Sequence, residues 1–141
     1  YQAPECHLQR PVDTFLVDAF AVGVVIFALA ARSLPWVRTK AGECQLFRGA
    51  MEVGVRQYLG QRMLQTGDGE PLCDVLSPDL LDLVSALLDF RLQSRACLGE
   101  AEFEKAVSKG WRKSVWALPA LKGAGALLPP AHRRRCAQPR P

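Results

Sequence analysis

After Glu104 the sequence contains no aspartate or glutamate. Residues 1–104 hold nine Lys/Arg against fourteen Asp/Glu, a net −5, while residues 105–141 hold nine Lys/Arg and no acid, a net +9. The formal charge of +4 therefore describes neither part: a mildly acidic body precedes a basic end. Paired cysteines are also lacking. Cys6, Cys44, Cys73, Cys97 and Cys136 are odd in number and nowhere form Cys-x-x-Cys. That argues against a disulfide framework and for a reducing compartment, cytoplasmic with the nucleus as the alternative. No Cys/His cluster has zinc-ligand spacing. His7 and His132 stand far apart with no nucleophile arrangement, which removes support for hydrolase chemistry. No basic segment precedes a short apolar run at the start, so no signal peptide is expected. Internal repeats and strand-like alternation are missing too, and the body is expected to be all-α.

What is present suits one small globular domain: 141 residues, 49% hydrophobic and 23% charged. The most apolar stretch, residues 15–31, is 17 residues long, at the lower edge of a membrane span. Asp18 inside it would be costly in hydrocarbon, and Arg32 and Pro35 close it. A helix apolar on all faces with one buried carboxylate also describes the centre of a soluble helical domain, which is the reading preferred here. Residues 32–45 read as a loop. Residues 45–64 have helical apolar spacing through Leu46, Phe47, Met51, Val55, Leu59 and Met63. Residues 65–71 are rich in turn formers. Ser77, Pro78 and Asp79 suit the cap, first position and positive dipole end of a helix over 78–89, with Leu80, Leu81, Val84, Leu87 and Leu88 as its buried stripe. A further helix is expected over 100–109, with Phe103 and Val107 four apart. From residue 117 Pro, Ala, Gly and Arg dominate, so 117–141 is expected to be a disordered basic tail following a domain at 1–116.

Three motifs follow one another in an order that resembles the C-terminal lobe of Ser/Thr-type protein kinases. Tyr1-Gln2-Ala3-Pro4-Glu5 is similar to the Ala-Pro-Glu motif that closes the activation segment. Asp18, Phe20, Gly23, Phe27 and Leu29, followed by Leu34-Pro35-Trp36, resemble the family's central helix, usually Asp-x-Trp-x-x-Gly-x-x-x-Tyr-x-Leu with a later Pro-Phe. Leu80-Leu81, Leu87-Leu88-Asp89 and Arg95 resemble its late helix, which normally ends Leu-Leu-x-x-Asp-Pro-x-x-Arg. The resemblance covers about 110 residues. Phe20 stands in place of the usual Trp and Phe90 in place of the usual Pro, which marks a divergent member. The Tyr-x-Ala-Pro-Glu form is closer to Ser/Thr kinases than to tyrosine kinases, which usually carry Trp-x-x-Pro-Glu.

The resemblance implies structural roles. Glu5 should form a buried ion pair with Arg95. Asp18 should hold the backbone of a catalytic loop through hydrogen bonds, and Gly23 should allow close backbone packing. Tyr1, Ala3, Pro4 and Glu5 should lie beside the protein substrate. It also implies that the complete domain binds ATP and Mg, although no residue of this chain is expected to bind a cofactor or a metal or to be catalytic. The glycine-rich loop, its Lys, the catalytic-loop Asp and Asn and the Asp-Phe-Gly would lie upstream. Asp89-Phe90-Arg91 follows Ala-Pro-Glu, the reverse of the family order, and reads as a helix terminus rather than a metal site. His132-Arg133-Arg134-Arg135 has no Asp after it, and Gly67-Asp68-Gly69 lacks a third Gly and a preceding strand. Arg133–Arg135 have no interleaved aromatics to stack bases. Nucleic acid and membrane are therefore not expected as partners, an acidic partner remaining open for the tail. Two rival readings stand beside the kinase: a non-catalytic, pseudokinase-like helical interaction module, and a small protein anchored by residues 15–31.

Overall fold

The structure, a computed structural model, describes residues 2–64 and 69–121. Tyr1, most of the expected turn (65–68) and the tail from 122 onward, with Cys136, His132 and Arg133–Arg135, lie outside the described residues. The described part is helical: α1 Thr14–Ala31, α2 Gln45–Val53, α3 Val55–Gln61, α4 Leu72–Val75, α5 Pro78–Leu87 and α6 Glu104–Ser108. Short 3-10 turns at Pro4–His7, Ala101–Phe103, Val115–Ala117 and Pro119–Leu121 join them. Among the described residues there is no strand, only two isolated bridges, Met63 with Pro71 and Cys97 with Ser114. The fold class is all-α.

Local chemistry sets the ends of the two helices that form the centre. Asp13 caps α1, its Oδ1 accepting from the backbone N–H of Phe15 at 3.1 Å and of Leu16 at 3.3 Å. Arg32 ends it in the left-handed conformation, φ 49°. Ser77 caps α5 through its hydroxyl, which accepts from Leu80 N–H at 3.3 Å, and Pro78 takes the first helical position. The expected extension of α5 to residue 89 does not form. Asp89 Oδ1 instead accepts from Arg91 N–H at 2.9 Å, a local turn that competes with the helix.

α1 packs against α5 at Gly23. A Cβ placed there would lie 2.8 Å from Leu87 Cβ and 3.0 Å from Leu88 Cδ2, so only glycine lets the two helices approach this closely. Leu16, Ala19, Phe20, Val24, Phe27 and Ala31 are buried alongside it. By length and composition alone α1 could also cross a membrane.

On one side of α1 an aromatic cluster centres on Trp36. Its ring centroid lies 6.0 Å from Phe20, 5.3 Å from Phe47, 5.6 Å from Phe90 and 6.4 Å from Tyr58. On the other side Ala19, Leu83, Leu87, Ala96 and Val115 form a second cluster.

Three further expectations are corrected. Residues 45–64 are not one helix: Gly54, at φ 89° and ψ 147°, lies in a region essentially reserved for glycine and splits the segment into α2 and α3. Its N–H closes α2 on Ala50 O, and its carbonyl opens α3 by accepting from Tyr58 N–H. The break changes which side chains face inward. Phe47, Ala50, Val55 and Leu59 are buried, while Leu46, Met51 and Met63 are exposed. The helix expected over 100–109 is a 3-10 turn followed by five α-helical residues. The ordered body does not stop at 116. The turns at Val115–Ala117 and Pro119–Leu121 continue it, with Leu118, Ala120 and Leu121 packed on the second cluster.

Gly23→Ala is expected to lower stability. Added helix propensity is worth about 1 kcal/mol, but overpacking against a Cβ that cannot move costs roughly 1–3 kcal/mol, so the loss wins. Urea unfolding should show a net loss of about 1 kcal/mol, with the circular dichroism of the folded state unchanged.

Candidate functional site

Arg95 is fully buried, and so is its partner Glu5 at 4% exposure. The two side chains meet in a bidentate pair, Nη1 to Oε1 at 2.5 Å and Nη2 to Oε2 at 3.0 Å, across 90 residues of sequence. Nη1 also donates to the Leu16 carbonyl at 2.9 Å, and Nε donates to the Asp89 carbonyl at 2.8 Å. Four of the five guanidinium N–H bonds are thus spoken for. The guanidinium carbon lies over the Phe20 ring, 4.9 Å from its centroid, a cation–π contact. A second arginine supports the backbone here. Arg112 Nη1 donates to the carbonyls of Arg95 at 2.7 Å and Leu92 at 2.8 Å.

This clamp positions the segment before α1. Ala3 is fully buried, and Pro4 opens the 3-10 turn that carries Glu5 inward. Tyr1 lies outside the described residues. Gly23 sits at the contact between α1 and α5. Asp18 differs from its expected setting: it is exposed, not buried. It shares the outer side of α1 with Phe15, Val22, Val25 and Leu29, the last 77% exposed. Asp89 is engaged by Arg91 through backbone and guanidinium contacts, which makes Asp89-Phe90-Arg91 a helix terminus in geometry. Phe90 turns inward onto Phe47, 4.9 Å between centroids.

A second feature carries no sequence motif. A cleft of about 350 Å³ opens where the Pro4–His7 turn meets the loop after α1, bordered by His7, Trp36, Arg38, Thr39, Lys40 and Glu43. Thr39 is its pivot. The Thr39 hydroxyl donates to the Gln2 carbonyl at 2.9 Å, so it can only accept from His7 Nε2 at 2.8 Å. His7 Nε2 therefore carries a proton and donates it to Thr39. Glu43 is shared by two cations, Arg38 Nη1 at 2.8 Å and Lys40 Nζ at 3.0 Å. Hydrogen bonds from Arg38 and then Lys40 hold its carboxyl below the usual range. Cys44 follows as the cap of α2. Burial pushes its thiol up, but the backbone N–H groups of Arg38, Phe47, Val37 and Leu46 outweigh that and hold it below the ordinary value. The only sequence signal for this cleft was the charge spacing Arg38-x-Lys40-x-x-Glu43, which reads as an ordinary polar loop until His7 is known to lie beside it.

Replacing Glu5 by Ala should strand the Arg95 charge and cost roughly 3–5 kcal/mol, a large share of a small domain's total stability. In a double-mutant cycle with Arg95→Met, the pair of changes together should cost less than the sum of the two alone. Urea midpoints of the four proteins measure this. Additive losses would mean that the two side chains are energetically independent.

No protein-family model matches the chain, and no solved structure matches it. Over 111 residues, 79% of its length, the chain is 27% identical to a Dictyostelium discoideum protein described as probable serine/threonine-protein kinase MARK-B. The matched stretch spans only 14% of that protein. The chain is thus similar, over most of its length, to a small part of a protein described as a probable Ser/Thr kinase.

Proposed function

We propose that residues 1–116, with the packed turns up to residue 121, form the part of a Ser/Thr protein-kinase C-lobe that begins at the Ala-Pro-Glu motif. The complete kinase transfers the γ-phosphate of ATP to Ser or Thr hydroxyls of protein substrates. The observation that carries this reading is the bidentate, buried Glu5–Arg95 pair, which joins the first motif to the third. Similarity to a Dictyostelium protein described as a probable Ser/Thr kinase agrees with it in class.

On this reading the chain's contribution is positional. Phosphoryl transfer depends on cradling phosphates, holding Mg and orienting the acceptor hydroxyl. The sequence contains none of the motifs that hold ATP or Mg, so those groups belong to residues outside it. The clamp fixes Ala3, Pro4 and Glu5, and with them the backbone beside which a substrate lies. The outer side of α1, where Asp18 stands among Phe15, Val22, Val25 and Leu29, is the face on which the rest of the lobe packs. An apolar strip whose one carboxylate has no partner among the described residues suits a cover that brings hydrogen-bond donors to Asp18. Left uncovered, the same strip is expected to lower the solubility of the chain made alone.

Two measurements test the reading. The coding sequence immediately before Tyr1 should encode, in frame, a catalytic-loop Asp and an Asp-Phe-Gly. Substitution of both would move the protein to a non-catalytic helical module. The chain alone should show no ATP-dependent rise in melting temperature with Mg present. Ligand at 100 times its dissociation constant would add about 2.7 kcal/mol, so a stabilisation of that size would overturn the assignment of nucleotide binding to other residues.

A further inference from the structure

We infer that the cleft between the Pro4–His7 turn and the loop after α1 is an oxyanion site that takes the acidic or phosphorylated side chain of a peptide. Three observations carry this. The first is charge. Arg38 and Lys40 share the single carboxylate of Glu43, which leaves one positive charge in excess. That excess is local, because residues 1–104 as a whole carry a net −5. The second is donor capacity. Arg38 has five N–H donors and Lys40 three, and each commits one to Glu43. Both side chains are well exposed, at 67% and 47%, so the remaining donors are accessible.

The third is a fixed wall. Trp36 borders the cleft at 1% exposure, its ring surrounded by Phe20, Phe47, Tyr58 and Phe90, so packing holds that side of the cleft in place. The Thr39 hydroxyl cannot serve a ligand as donor, since its proton goes to the Gln2 carbonyl. Recognition therefore falls to Arg38 and Lys40.

The size and placement of the cleft select the class of ligand. At about 350 Å³ it is at the small end of ligand pockets, enough for one carboxylate or phosphoryl group and its stem. It is open and directly beside Gln2, whose backbone leads into the clamped Ala3-Pro4-Glu5. An extended peptide lying along that segment would drop one side chain into it. Identifying this peptide as the flank of a kinase substrate rests on the reading proposed above. The preference for an anion does not.

Fluorescence anisotropy on the whole chain, without ATP, separates the two. Four labelled peptides of one backbone would carry Glu, phosphoserine, Gln or Lys at a single central position. The Glu and phosphoserine peptides should bind about tenfold or more tightly than the Gln peptide, and the Lys peptide least tightly. The preference should fall as salt rises. Arg38→Gln with Lys40→Gln should abolish it, and both sites are exposed enough that the fold should survive. Glu43→Gln, which removes the resident anion, should tighten the acidic peptides. Equal binding of Gln and Glu peptides, or a preference that persists in the double variant, would overturn the site. Inorganic phosphate that displaces the peptides at equal concentration would overturn the assignment to a peptide. Because no phosphorylation is read, these outcomes leave the kinase reading to its own tests.

Discussion

A buried arginine is the constraint on which the ordered body depends. Taking a guanidinium out of water costs several kcal/mol even after relaxation, and only a full set of acceptors makes the site tolerable. Arg95 collects that set from two distant stretches and one nearby: the carboxylate of Glu5, the carbonyl of Leu16 in the first turn of α1, and the carbonyl of Asp89 just past α5. Each acceptor fixes a piece of backbone. Glu5 draws the Pro4–His7 turn inward, Leu16 sets the start of α1, and Asp89 holds the exit of α5. The pair is thus worth less as a net stabiliser than as a device for specifying geometry. The same residues could collapse in other ways, but few would satisfy four donors at once.

The geometry of the cleft follows from that clamp. Once Glu5 is pinned, Gln2 and His7 flank it at a set distance, and Thr39 can bridge them from the loop after α1. Trp36 just before that bridge is held by the ring cluster, and Arg38 and Lys40 just after it converge on Glu43. The departures at Phe20 and Phe90 also make sense at this point. Phe20 lies between the Arg95 guanidinium and Trp36, and Phe90 closes the far side of the same cluster. An aromatic ring of either size can fill the first position. A phenylalanine at the second trades the rigidity of proline for buried area.

What could be read in advance, and what could not, divides along local and non-local lines. The starts of α1 and α5 were legible because their capping chemistry lies within three residues, as Asp13 and Ser77 show. Glu5 and Arg95 could be paired only through family resemblance, since nothing local links positions 90 apart. Gly23 could be placed at a helix contact for the same reason. Gly54 was missed because the apolar spacing from Phe47 to Leu59 runs through it unbroken. A glycine within such a pattern costs only about 1 kcal/mol as a helical residue, so the pattern outvotes it. The packed turns up to residue 121 were hidden by composition: Leu118 and Leu121 sit among Pro and Ala, and only the second cluster gives them a partner. The cleft was invisible because His7 and Thr39 are 32 residues apart and belong to no motif.

The exposed side of α1 tightens the argument about what surrounds this chain. A helix that buries Leu16, Phe20, Gly23, Val24 and Phe27 on one side ordinarily turns charged residues to water on the other. Here the other side offers Phe15, Val22, Val25 and Leu29, with Asp18 as its one charge. Water alone tolerates Asp18 but gains nothing from the rest. Plain hydrocarbon would welcome the rest but penalise Asp18. A polypeptide cover with apolar side chains and backbone N–H groups aimed at the carboxylate meets both demands, which neither solvent does. The same logic governs Arg95 inside the body: a charge set among apolar neighbours calls for protein donors or acceptors, and the described residues supply them for Arg95 but not for Asp18.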